Sequence, residues 1–179
     1  MEKRENIWNV PNILTMVRMA LIGVFIWQFV LGHRYWALAI FLGANLTDFL
    51  DGYIARKYQL ITNFGKLMDP LADKLMLITA LSCLTISGLV PYWITIIIFV
   101  KECIMVVGGF FLLRKGIVMQ AQLIGKAATV VFLVAVVVTF LDAYTNPWDL
   151  YLQYFAAALS VSAMVWYGVQ AVQMLQKQK

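Results

Sequence analysis

Histidine occurs once in this chain and cysteine twice, so neither a Cys/His metal centre nor a disulfide is indicated. Cys83 and Cys103 both lie in apolar segments without CxxC spacing and are expected as small buried side chains. Charge is scarce as well: 13% of residues are Asp, Glu, Lys or Arg, against about a quarter in soluble domains. With 63% hydrophobic residues and a mean hydropathy of +0.81, the chain cannot cover its surface in water and belongs in a bilayer. Internal repeats, low-complexity runs and a soluble domain are also missing. The opening MEKRENIWNVPN is too polar, and too interrupted by Trp and Pro, for a cleaved signal peptide. Residues 1–12 are expected as a juxtamembrane segment, with Ile7, Trp8 and Val10 dipping into the headgroups. The formal charge of +5 does not imply nucleic acid as a partner, because basic residues on membrane proteins mainly set topology.

What the chain does have is long apolar runs. Six of them suit membrane-spanning helices, at 13–31, 35–55, 66–87, 92–113, 123–142 and 150–174. The expected fold is therefore an all-α integral membrane protein, with one six-helix domain over 13–174 and a polar tail at 175–179. The stretches GHR, SGLVP and DAYTNPWD punctuate the runs, and Trp36, Trp93 and Trp148 fall near span ends. Lys3, Arg4, Arg56, Lys57, Lys66, Arg114, Lys115, Lys126, Lys177 and Lys179 all fall on one side of this arrangement. The other side holds His33, Arg34, Asp142 and Asp149. The positive-inside rule then places both termini in the cytoplasm.

Four aspartates stand out at the cytoplasmic ends of spans two and three, in NLTDFLDGYIARKYQLITNFGKLMDPLADK. Asp48 and Asp51 are three residues apart, Asp69 and Asp73 four, so each pair shares a helix face. Four ionised carboxylates close together repel one another strongly in a low dielectric. They must be protonated, paired with cations such as Arg56, Lys57, Lys66 or Lys74, or bound to divalent ions. An all-oxygen donor set suits Mg2+ or Mn2+, and two such ions would form a clamp for phosphoryl chemistry. A structural charge cluster and an ion or proton pathway are the alternatives. Gly52, Ala55 and Gly65 could serve close helix packing or leave room for a flat ligand.

The spacing Asp48-x2-Asp51-Gly52-x2-Ala55-Arg56-x8-Gly65-x3-Asp69-x3-Asp73 resembles the signature of the CDP-alcohol phosphotransferase family at every fixed position. VPNILTMVR at the start of span one is similar to the opening of bacterial members, and six spans is the family architecture. The resemblance implies transfer of a phosphatidyl group from CDP-diacylglycerol to an acceptor hydroxyl, with release of CMP. It implies Asp48, Asp51, Asp69 and Asp73 at a two-metal site, with Asp73 as the base. Gly52, Ala55 and Gly65 would make room for the cytidine diphosphate, and Arg56 would hold charge beside it. Asn12, Thr15 and Arg18 would reach the same cavity, although Arg18 could equally snorkel to the interface. A homodimer in a bacterial cell membrane is also implied, with the site facing the cytoplasm.

The acceptor is less constrained. LITNFGKLMDPLADK resembles members that use sn-glycerol 3-phosphate, a dianion needing fixed cations. Those members carry Arg-Glu in span four and Gly-Lys-x-Lys-Thr in span five, where this chain has Lys101-Glu102 and GKAAT. Lys101, Arg114, Lys115 and Lys126 could still host the phosphate. The thinner cation set also fits phosphatidylglycerol, the acceptor in cardiolipin synthesis, and Lys101-Glu102 could simply be a self-neutralising pair. A metal-ion or proton transporter using the same acids is the reading from another class.

Overall fold

The computed structural model describes residues 9–57, 63–115 and 123–177, without the side chains of 10, 11, 49–57, 63–67, 70 and 177. Most of the expected juxtamembrane segment, with Ile7 and Trp8, therefore lies outside the described residues. Every regular element among the described residues is helical: α1 (Val10–Val30), α2 (Arg34–Lys57), α3 (Asn63–Ile86), α4 (Tyr92–Arg114), α5 (Leu123–Phe140), α6 (Asp142–Thr145) and α7 (Trp148–Lys177). Each of the six apolar runs falls on one of the long helices. Among the described residues four segments are long and apolar enough to cross a membrane: Asn12–Val30, Tyr92–Arg114, Leu123–Phe140 and Trp148–Gln176.

Local chemistry sets the helix ends. Asn9 caps α1, its side-chain oxygen accepting from the Asn12 backbone N–H at 2.9 Å, and Pro11 sits in the first turn where its missing N–H costs nothing. The helix stops at Gly32, whose φ of 80° is cheap only for glycine. Gly32 N–H donates to Phe29 and His33 N–H to Gln28, each at 3.0 Å, which satisfies the carbonyls of the last turn. Gly88, with a φ of 77°, ends α3 in the same way: its N–H donates to Thr85, and Leu89 N–H donates to Leu84. The fifth span ends earlier than expected, at Phe140, because the polar DAYTNPWD stretch folds its first residues into the short α6. The sixth continues past Met174 to Lys177, since LQK favours helix as much as the apolar residues before it.

The chain divides into two compact units, Met1–Cys83 and Leu84–Lys179. In the first, α1 and α2 form an antiparallel hairpin around Phe25, Ala37, Phe41 and Ala44, all fully buried. The rings of Phe25 and Phe41 meet at 6.4 Å. In the second, α5 and α7 face each other across small side chains. Ala128, Ala135, Ala156, Ala157 and Ala163 are buried there and allow close approach, while Phe132 and Phe140 fill the seam. Trp93 of α4 stacks on Tyr154 of α7 at 5.5 Å. Of the two cysteines, Cys83 is buried as expected, but Cys103 is exposed on α4. An apolar helix face turned to lipid tolerates a small thiol as readily as a core does, which removes the reason for burying it.

Candidate functional site

The Met1–Cys83 unit holds the aspartates, and α1 is the element that positions them. Asn12, Thr15 and Arg18 recur every third residue and lie on one face of α1, each about 1% exposed. Arg18 Nη1 pairs with Asp48 Oδ1 on α2 at 2.6 Å. Thr15 Oγ1 donates to Asp69 Oδ1 on α3 at 2.5 Å. Thus one face of α1 grips an acid from each of the other two helices. Arg18 and Thr15 are about one helical turn apart, so Asp48 and Asp69 are drawn to adjacent levels. Arg18 is not an interfacial snorkeller: it is buried, and its guanidinium is turned onto a carboxylate.

The hairpin also has a defined register. Phe25 meets Phe41, and seven residues earlier on α1 Arg18 meets Asp48, seven residues further along α2. Two helical turns are thus matched one for one. Continued by one turn, that register sets the backbone at Asp51 level with Thr15, and by a second turn the backbone at Ile54 level with Asn12. The Thr15 bond is charge-assisted, a type that is short, directional and about twice as strong as a neutral bond, whereas Arg18 Nη1 meets Asp48 as an ion pair without hydrogen-bond geometry. They do two jobs for the carboxylates: Arg18 offsets one negative charge, and Thr15 fixes the rotamer of Asp69.

Asp73 lies one turn beyond Asp69 on α3 and is partly buried. The backbones at Asp51, Gly52, Ala55, Arg56 and Gly65 are helical, as the signature requires, but their side chains lie outside the described residues. Among the described residues, no three His, Cys, Asp or Glu side chains converge enough to hold a metal ion. The donor chemistry still fits hard divalent cations, because every acid placed here offers oxygen and none competes with nitrogen or sulfur.

The four cations considered for an acceptor phosphate belong to the Leu84–Lys179 unit. Lys101 is already engaged: its Nζ pairs with Glu102 at 2.5 Å and donates to Ser160 Oγ on α7 at 2.9 Å. Arg114 lies over Phe110 at 4.5 Å and Lys115 over Phe111 at 5.0 Å, both exposed at the end of α4. Lys126 is exposed in the first turn of α5. Beside it, Gly125 passes so close to Tyr167 that a Cβ would stand 2.5 Å from the phenol oxygen. Sequence reasoning missed Ser160 as the third member of the Lys101–Glu102 group. The only available signal was a hydroxyl set among the alanines of α7.

A family profile described as CDP-alcohol phosphatidyltransferase matches residues 8–166, nearly the whole described chain. The chain belongs to the CDP-alcohol phosphatidyltransferase family. Among its relatives in that family is a cardiolipin synthase (CMP-forming) of Streptomyces coelicolor, 33% identical over 133 residues, covering 70% of this chain and 61% of that protein. A probable phosphatidylglycerophosphate synthase of Mycobacterium tuberculosis is 37% identical over 139 residues, covering 74% and 66%. A CDP-diacylglycerol–glycerol-3-phosphate 3-phosphatidyltransferase of Bacillus subtilis is 37% identical over 145 residues, covering 72% and 75%. The chain thus spans less than two thirds of the length of the first two relatives. This phosphatidyltransferase-family chain, with its several long apolar helices, is a multi-pass membrane protein.

Proposed function

We propose that the protein makes phospholipid by transferring the phosphatidyl group of CDP-diacylglycerol to sn-glycerol 3-phosphate, forming phosphatidylglycerophosphate and releasing CMP. The observation that carries this reading is the α1 face on which Thr15 and Arg18 hold Asp69 and Asp48 of the complete four-aspartate signature. Family membership and the activities in the relatives' names support it. In the reaction, the acceptor hydroxyl attacks the phosphorus that carries diacylglycerol. Its bond to the bridging oxygen breaks, and CMP leaves with that oxygen. Asp73 takes the proton of the attacking hydroxyl. Asp48, Asp51, Asp69 and Asp73 would hold two Mg2+ or Mn2+ ions, whose positive charge would offset the negative charge building on the leaving CMP. Gly52, Ala55 and Gly65 leave space for the nucleotide, and Arg56 binds charge beside it. In this reading α2 and α3 complete six spans, both termini and the site face the cytoplasm of a bacterial cell membrane, and two copies associate.

A second acceptor, phosphatidylglycerol, is favoured by one observation: Lys101 is already engaged with Glu102 and Ser160, which leaves a less basic host for a dianion. The deciding experiment is CMP release by purified protein from CDP-diacylglycerol and Mg2+, with each acceptor in parallel and Asp73→Asn as control. Release with glycerol 3-phosphate alone supports the first reading, and release with phosphatidylglycerol alone supports cardiolipin synthesis. No release with either would overturn both and return the transport reading.

A further inference from the structure

At the end of α5 remote from Lys126, the Leu84–Lys179 unit buries a second polar cluster. Asp149, in the first turn of α7, is 2% exposed, and Gln153, one turn on, is fully buried. Gln153 Nε2 donates to Thr139 Oγ1 in the last turn of α5 at 3.0 Å, and Thr139 Oγ1 donates to the Ala135 carbonyl at 2.9 Å. Two acceptors are then left over: Asp149 Oδ1 and Gln153 Oε1 have no hydrogen-bond partner among the described residues. Buried polar atoms are nearly always satisfied, and an exception calls for a ligand, ion or water. The neighbouring donors are committed elsewhere. Thr145 Oγ1 donates to the carbonyls of Val138 and Leu141, and Asn146 Nδ2 to Asp142. Cationic side chains are missing too, since neither Lys, Arg nor His occurs between Lys126 and Lys177, and the partly positive first turn of α7 offsets only part of the Asp149 charge. On α4, Lys101 is bound to Glu102 and Ser160, and Arg114 lies over Phe110.

We propose that Asp149, Gln153 and the last turn of α5 bind one monovalent alkali-metal cation, sodium or potassium. The available donors are a carboxylate and an amide carbonyl, all hard oxygen. One carboxylate balances a single positive charge, whereas a divalent ion would leave net charge in a low-dielectric interior. The partially negative C-terminal end of α5 adds to the attraction. The near-complete burial of both side chains suits a bare ion and leaves no entry for a lipid headgroup. The ion would tie α7 to α5 where the short α6 interrupts them.

The test is thermal unfolding of the purified full-length protein in detergent with EDTA, in sodium, potassium or N-methylglucamine chloride at one ionic strength. Sodium or potassium should raise Tm saturably by about 5 °C, a rise absent in Asp149→Asn and reduced in Gln153→Leu. Asp48→Asn should keep the full rise, which separates this site from the aspartates of α2 and α3. Should Asp149→Asn not fold, crystals of the parent protein soaked in thallium or rubidium chloride should show an anomalous peak beside Asp149. Equal Tm in the three salts, the same rise in Asp149→Asn, or an ordered water without anomalous signal would overturn the proposal.

Discussion

Replacing Thr15 with valine removes one hydroxyl and keeps the shape of the side chain. In the structure that hydroxyl is spent on Asp69 Oδ1, at 2.5 Å, from a position about 1% exposed. A bond to a charged acceptor is worth about 1.5–3 kcal/mol. Asp69 is only partly buried, so water can replace part of the loss, and a stability cost of about 1–2 kcal/mol follows. For a chain of this size that is a fall in Tm of roughly 2–8 °C. The functional effect should be larger than the thermal one. Asp69 without its donor is less fixed in its rotamer, and on the proposed metal-ligating role of Asp69 the loss of such an outer partner should cost about 10–100-fold in affinity or activity. The assay is CMP release across a Mg2+ titration, beside thermal unfolding in detergent. Thr15→Ser keeps the donor, and should retain most of both properties. If Thr15→Val matches the parent, or if Thr15→Ser is as damaging as Thr15→Val, then α1 does not position Asp69 and the reasoning fails.

Other expectations rest on separate features. Arg18→Met and Asp48→Asn should each destabilise, but the double variant should lose less than their sum, with a coupling of at least about 0.5 kcal/mol in a double-mutant cycle. Lys101→Met should lower Tm by removing the cation that Glu102 faces, and adding Glu102→Gln should restore part of it; no recovery would mean that Lys101 does more than neutralise its neighbour. Gly32→Ala should cost about 1 kcal/mol because its φ is left-handed, while Gly23→Ala, with open space at its Cβ, should gain about 0.5–1 kcal/mol by unfolding calorimetry.

Hydrophobic run length and punctuation were enough to locate the six long helices, because helix formation over an apolar stretch is a local matter. The turns at Gly32 and Gly88 were legible for the same reason: only glycine takes a left-handed φ cheaply. The acids were legible as two pairs, since spacings of three and four need only helix geometry. What α1 does with them was not. That Arg18 takes Asp48 and Thr15 takes Asp69 depends on how three helices pack, which no single helix encodes. Asp149 was read only as an orienting charge near a span end. Its burial comes from α7 packing against α5, and the single hint in the sequence was Gln153 one turn later in an apolar helix.

The turn at Leu31–His33 acts as a phasing element for the Arg18–Asp48 pair at the far end of the hairpin. Arg18 lies fourteen residues before Gly32, a climb of about 21 Å along α1. Because the two helices are paired one for one from that turn, a single residue inserted there would rotate α2 by about 100° and carry Asp48 off the face that Arg18 occupies. Exposed turns usually accept tags and extra residues. This one works as a gauge block, and its length should be as closely guarded as any side chain that touches substrate.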